Sequence, residues 1–249
     1  FQPKIDLDSG RPVACEAIPF VSHARYGEVS AAGYRHAAAQ LGAQRAMTAT
    51  VLREAAALVR SLRAKNLMAK VSVNLAVDVL SEAGDAAALD SYVRTLGIAA
   101  SDLALEIDAG RQAAGTAHLA ENLARLKLRG YALALDGAAS ALDFGGVAGL
   151  HFSELKLDWP AMTRAANGAA DRQQVAAAIS SARKLGMAVC AVDVRTVADL
   201  HLVRQAGIDL GQGEVFADPM PAAETLIWIE REEHNRSFAD YSPRQHRAS

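Results

Sequence analysis

A series of polar side chains stands at the ends of short apolar runs, and their chemistry is that of ion binding. Glu16 follows RPVAC, Asn74 follows KVSV, Glu106 follows LAL, Asp136 follows ALAL, Lys156 follows SEL, and Asp158 lies just beyond Lys156. Any one of these alone reads as a polar residue leaving a sheet for a loop. Recurrence in successive units is different. If the runs are neighbouring strands, the carboxylates of Glu16, Glu106 and Asp136 and the amide oxygen of Asn74 are drawn into one mouth, where unneutralised they repel. A cation resolves that repulsion, and oxygen donors of this kind suit a hard ion such as Mg²⁺, Mn²⁺ or Ca²⁺ rather than zinc.

The elements that must position these residues follow from the hydrophobic pattern. KIDLD and RPVACEAIP flank Asp8-Ser9-Gly10 and predict an opening β-hairpin. Residues 31–65 are rich in Ala, Leu and Arg at helical spacing and predict two helices broken near Gly42. MAKVSVNL (68–75), DLALEID (102–108), YALALD (131–136), ELKLD (154–158), MAVCAVD (187–193) and a short run near 209–213 predict strands. Helical patterns lie between them, at 85–96, 116–129, 170–185 and 196–206. Near-continuous apolar strands joined by helices imply a parallel sheet covered on both faces. So many units in one chain predict an α/β fold closed into a TIM-like (β/α)8 barrel, whose chemistry gathers at the C-terminal ends of the strands.

Composition sets the outer limits. The chain has 249 residues, 51% of them apolar and 22% charged, which suits a large core and excludes a disordered chain. A formal charge of −2 and a pI near 6.4 leave no electrostatic footprint for nucleic acid or an anionic membrane surface. Cys15 and Cys190 lie in apolar runs and read as buried thiols, which fits a reducing cytoplasm. No signal peptide and no apolar stretch of the roughly 20 residues needed to span a bilayer is present. The chain starts at Phe1 without Met, so the expectation is a cytoplasmic fragment of a longer protein, with tethering to the inner membrane by a segment outside it left open. Residues 1–230 are expected to form one domain and the polar stretch 231–249 a disordered tail. The histidines show no metal-ligand spacing and receive no role, and Trp159 and Trp228 read as packing residues.

The motifs in order resemble the EAL domain family, phosphodiesterases of the bacterial messenger cyclic di-GMP. FQPKIDLDSGR is similar to that family's Y-Q-P-I-x-D-L-x-T-G-R opening, and Glu16-Ala17-Ile18 stands where the naming Glu-Ala-Leu falls. SVNLA (72–76) resembles S-V-N-L-S, LEID (105–108) L-E-I-T, ALD (134–136) the start of A-L-D-D-F-G, and LKLD (155–158) L-K-I-D. The resemblance extends to GQGEVFADPMP (211–221). It implies an EAL-type barrel with an antiparallel first strand. It also implies ligand contacts at Gln2, Glu16, Ile18, Asn74, Glu106, Asp136, Lys156, Asp158, Gln212 and Pro219, and a metal set of Glu16, Asn74, Glu106 and Asp136. For Lys156 two roles stay open, a contact to phosphate or an ion pair inside the barrel with Asp136 or Asp158.

The departures from the family pattern point away from turnover. The second aspartate of the family's pair is Gly137, and the loop after it is Ala138-Ala139-Ser140, with LDFGG (142–146) too late to substitute in register. The glutamate that follows L-E is Ala109. The glutamates of A-E-G-V-E-T are Val192 and Arg195, and the phosphate-gripping arginine after the signature is Phe20. Donors resembling the first metal's set survive, while those assigned to a second metal and to water activation are gone. Loss of a general base alone is typically worth about 10²–10⁴-fold in rate. The expectation is an inactive domain that holds at most one Mg²⁺, Mn²⁺ or Ca²⁺, binds cyclic di-GMP, and signals to a protein partner in motility, flagellar or attachment control, a TipF-like flagellar regulator being one form. The alternatives are a nucleotide-independent scaffold and a weak phosphodiesterase; whether the domain dimerises is left open.

Overall fold

Asp6 fixes the first turn. Its Oδ1 accepts hydrogen bonds from the backbone N–H and the hydroxyl of Ser9, both at 2.7 Å. Gly10 follows at φ +69°, a left-handed conformation that glycine adopts without steric cost. This turn joins β1 (Gln2–Asp6) to β2 (Pro12–Ala17) as the expected hairpin, with Gln2 opposite Glu16. The computed structural model describes residues 1–23, 25, 27–29, 31–67, 70–108, 117–137, 152–159 and 169–234.

Beyond the hairpin come β3 (Val21–His23) and β4 (Gly27–Val29), a small antiparallel pair that the sequence pattern did not show. Helices α1 (Ala31–Gln40) and α2 (Gln44–Ala64) follow, separated near Gly42 as expected. The rest of the barrel is β5 (Lys70–Leu75), α3 (Asp85–Thr95), β6 (Leu103–Asp108), α4 (Ala117–Leu128), β7 (Ala132–Asp136), β8 (Glu154–Asp158), α5 (Ala169–Lys184), β9 (Ala188–Val192), α6 (Val197–Gln205) and β10 (Leu210–Gln212). The closed order is β1-β10-β9-β8-β7-β6-β5-β2. Every neighbouring pair from β2 round to β10 is parallel, and β1 runs antiparallel to both of its neighbours. This is the (β/α)8 barrel with a reversed first strand. The sheet therefore has no open edge.

Alternation along each strand separates two environments. Val71, Val73 and Leu75, then Leu103, Leu105 and Ile107, Leu133 and Leu135, Leu155 and Leu157, and Val189 and Ala191 form a continuous buried cluster. Leu52, Ala55, Val59 and Leu62 from one stripe of α2 and Leu119, Leu123 and Leu126 from α4 belong to that same cluster. Each such Leu or Ile is worth about 1.5–3 kcal/mol on burial, so this layer between sheet and helices carries most of the stability. The intervening strand positions turn inward and are small or polar: Ala14 and Glu16, Ser72 and Asn74, Ala104 and Glu106, Ala134 and Asp136, Lys156, and Cys190. Both cysteines are free and buried, and burial pushes the Cys15 thiol up to about 12.

Two devices hold those loops at the mouth that lie among the described residues. Asn122 on α4 donates to the carbonyls of Leu80 and Glu82 at 2.9 and 2.8 Å and accepts from the Ala86 N–H at 3.2 Å, which pins the segment after β5. On the other side Val194 donates to Gln212 O at 3.0 Å and accepts from Val215 N–H at 3.1 Å, locking the loop after β9 to the one after β10. The chain ends its described part in α7 (Ala222–His234), which packs on α2, β1 and β2 and ties Lys65 to Glu230 at 2.7 Å. The helix takes in Arg231 to His234, which the sequence reading had given to the polar tail; residues 235–249 lie outside the described residues. Among the described residues no helix is long and apolar enough to cross a membrane.

Gly213 is the residue on which the second lock depends. At φ +151° a Cβ there would lie 2.2 Å from Val194 O and 2.4 Å from Val194 N, both backbone atoms that cannot swing aside. Gly213→Ala is expected to destabilise the fold by more than about 1 kcal/mol in denaturant unfolding. An unchanged midpoint would show that the two loops are not locked in solution.

Candidate functional site

The inward-facing residues at the finishing ends of the parallel strands meet in one polar cluster. Lys156 Nζ donates to Glu16 Oε2 at 2.8 Å and to Glu106 Oε2. Asn74 Nδ2 donates to Glu16 Oε1 at 2.6 Å, and Gln212 Nε2 donates to Glu16 Oε2 at 2.9 Å and to Gln2 Oε1 at 3.1 Å. Gln2 reaches this end because β1 is reversed, which turns the first residue of that strand toward the last residues of the others. Its Nε2 in turn donates to Ala217 O at 3.1 Å, and Phe1 O accepts from Met220 N–H at 2.8 Å. The segment carrying Pro219 is thereby fastened beside Gln2, with Pro219 itself exposed.

Below this cluster lies a second lysine that the sequence reading missed. Lys4 is buried inside the barrel, pairs with Glu154, and stands 3.6 Å from Glu106 Oε1. Strand alternation places Lys4 on the same side of β1 as Gln2, and this was the available signal. Two ammonium groups thus face the carboxylates of Glu16, Glu106 and Glu154. Burial, reinforced by the Glu16 carboxylate, outweighs both lysines and pushes the Glu106 carboxyl up to about 7. Burial also opposes ionisation of Glu16, but the Lys156 ammonium and the donors around it prevail and bring that carboxyl down to about 2. Lys156 is disfavoured by burial too, yet Glu106 and Glu16, and then Asp136, hold it charged well above its ordinary range. Its hydrogen-bonded ion-pair partners are Glu16 and Glu106, with Asp136, one of the two partners considered from sequence, adding to the charge that holds it.

This donor set does not fit a divalent ion as it stands. Both oxygens of Glu16 and Oε2 of Glu106 already accept from N–H donors, and Asn74 turns its amide nitrogen toward Glu16 rather than its oxygen. Among the described residues no group of three or more His, Cys, Asp or Glu side chains is arranged to hold a metal. An ion placed between Glu16 and Glu106 would stand against an ammonium, and like unit charges 4 Å apart repel by about 4 kcal/mol even at an effective dielectric of 20. Glu16, Asn74, Glu106 and Asp136 do share the mouth, as expected, but the first three are organised around Lys156.

Beside the cluster opens a cavity of about 340 Å³, within the range of small-ligand sites. Asn74, Glu106 and Asp136 line it together with Asp108, and His36, Gln44 and Met47 come from the helices above. Of these, Asp108 was legible as the next inward position after Glu106; it lies in register with Asp136, and its Oδ1 is 3.9 Å from where a Cβ on Gly137 would stand. His36 had no signal, since only the fold brings α1 over the mouth. Ile18 is half-buried just past β2, Asp158 is exposed at the end of β8, and Phe20 is 65% exposed. The departures at Ala109, Ala138-Ala139-Ser140 and 142–146 lie outside the described residues.

Glu106 makes stability depend on pH. An acid whose folded pKa is raised binds its proton more tightly in the fold than in the unfolded chain, so its contribution falls as pH rises from about 4.5 through about 7. In unfolding curves at pH 5 and pH 8, wild type is expected to lose more than about 1 kcal/mol relative to Glu106→Gln. Parallel losses in both would mean that Glu106 is ionised throughout.

Comparison with known proteins agrees with the geometry. The profile of the EAL domain matches residues 1–219. A cyclic di-GMP phosphodiesterase of Pseudomonas aeruginosa is 29% identical over 236 residues, covering 93% of this chain and 40% of that protein. The solved EAL enzyme Bd1971, in its cAMP- and cyclic-di-GMP-bound form, superposes with a TM-score of 0.81 at 17% identity over 92% of this chain and 63% of that one. PaMucR phosphodiesterase in complex with cyclic di-GMP gives 0.76 at 24% identity over 90% and 92%. The chain thus spans well under half the length of the curated relative, and the two structures speak for the fold. With its barrel matched by these neighbours and residues 1–219 by the family profile, this chain belongs to the EAL domain family.

Proposed function

We propose that this domain is a cyclic di-GMP receptor that binds the nucleotide at the barrel mouth, turns it over poorly or not at all, and passes its state to a protein partner. Members of the family bind cyclic di-GMP, typically with divalent metals, and the relatives named above include a phosphodiesterase and two cyclic di-GMP complexes. The observation that carries the reading is the position after Asp136. There the backbone holds Gly137 at φ +81° with no side chain to offer, while the binding groups Gln2, Glu16, Asn74, Lys156 and Gln212 remain joined in one network. Binding needs complementary groups in a cavity; hydrolysis also needs a poised base and a stabilised leaving oxygen. Lys156 is held charged and Glu16 is held ionised far below neutral pH, so neither serves as that base. The partner, and motility or surface attachment as the process, rest on the sequence resemblance.

A second reading, slow phosphodiesterase activity, is favoured by one specific feature: Glu106, held up to about 7 at the cavity wall, has the proton affinity of a general base, and Asp108 brings a carboxylate near the position lost at Gly137. Calorimetry with cyclic di-GMP combined with a chromatographic assay for linear pGpG separates the readings. Saturable binding that is lost in Glu16→Ala, without pGpG above background, is expected. A folded wild type that gives no heat would leave only a protein-interaction scaffold, and steady pGpG production would make the domain an enzyme.

A further inference from the structure

The barrel mouth contains a cation of its own. Lys156 projects inward from the middle of β8, its side chain is almost wholly buried, and its ammonium bridges Glu16 and Glu106, the two glutamates that a divalent ion would have to share. Accepting the receptor reading above, we infer that the Lys156 ammonium takes the place of a divalent ion between Glu16 and Glu106, so that the pocket binds its nucleotide without metal.

The surroundings are built for an ammonium. A hard dication needs carboxylate and amide oxygens at about 2.0–2.6 Å. Here Glu16 Oε1 is taken by the Asn74 amide N–H at 2.6 Å, and Glu16 Oε2 by both Lys156 and Gln212. An incoming ion would have to displace these donors, turn the Asn74 side chain over, and expel a charged group tethered to the strand. Small residues line the barrel where long lysine stems run. Ala134 sits in register with Glu106 and Glu154, and Ala14 sits opposite Lys4. Lys4, the lysine below, repeats the arrangement by pairing with Glu154 and facing Glu106 Oε1. Neutralisation by ammonium is thus the rule through the depth of this barrel, not an accident at its mouth. A tethered cation also cannot be chelated away or diluted, so the pocket is neutralised at every metal concentration.

Removing the ammonium should create the site it fills. In Lys156→Ala and Lys156→Met, Glu16 and Glu106 face each other with Asn74 beside them and no counter-charge between. Mn²⁺ alone, titrated by calorimetry and by the electron paramagnetic resonance of the free ion, should bind both variants at least about tenfold more tightly than wild type. Cyclic di-GMP should bind wild type equally in Mg²⁺ and in EDTA. The inference is overturned if wild type binds Mn²⁺ stoichiometrically and Glu16→Gln abolishes it, if the folded lysine variants gain nothing, or if nucleotide binding disappears in EDTA. Should both lysine variants fail to fold, the wild-type and Glu16→Gln titrations decide. Absence of nucleotide binding under either condition defeats the receptor reading instead, and the Mn²⁺ titrations still judge the role of Lys156.

Discussion

Charge buried inside a closed sheet is the constraint from which the rest of this structure follows. A carboxylate in a dry interior is costly unless it is paired and hydrogen-bonded, and removing one partner of such a pair leaves the other stranded at about 3–5 kcal/mol. Glu106 is essentially without solvent and Glu16 is buried beside it, so the Lys156 ammonium between them offsets much of the cost of burying both. The same logic places Lys4 against Glu154 lower down. The apolar layer between strands and helices supplies the stability that allows such an interior, since it holds the sheet closed whatever the polar side costs.

Closure then determines what can meet. Parallel strands bring their C-terminal residues to one end, which gathers Glu16, Asn74, Glu106 and Asp136, but it cannot by itself add a residue from the start of a strand. The reversal of β1 does so. The Asp6–Ser9 turn folds the chain back, Gln2 comes level with Glu16, and Lys4 enters the barrel at mid-depth between β2 and β10. One short turn near the N-terminus thus supplies both the glutamine at the rim and the lysine at the floor. The segment after β5 and the loops after β9 and β10 are fixed around this, the first by Asn122 and the others by the close approach of Gly213 to Val194.

Much of this was legible in the sequence, and the reasons are physical. The barrel strands are near-continuous apolar runs that end in polar residues, and the helices between them show a 3.6 period, so the order of elements and the ends carrying Glu16, Asn74, Glu106, Asp136 and Lys156 could be read directly. The motifs gave the family. Legibility stopped where tertiary contact decides. The partner of Lys156 is 140 residues away from it at Glu16, and no local pattern distinguishes that pairing from one with the nearby Asp158. Lys4 was passed over because the alternation of β1, which puts it on the same side as Gln2, does not say what faces it across the barrel. His36 and Gln44 reach the cavity only because α1 and α2 lie over the mouth. The short strands Val21–His23 and Gly27–Val29 were missed because three residues are too few to show a period.

The polar interior is graded from its depth to its rim. Inside the barrel Lys156 pairs with Glu16 and Glu106, and Lys4 pairs with Glu154 and faces Glu106. At the rim Asp108 and Asp136 lie side by side on neighbouring strands, an arrangement of like charges that the dry interior would not tolerate but that solvent at the strand ends can. Chemistry on a phosphodiester needs charge that is concentrated and uncompensated where the water and the leaving oxygen stand. Recognition makes no such demand. It needs donors and acceptors held in fixed positions, and the amides of Gln2, Asn74 and Gln212 are each oriented by a defined partner.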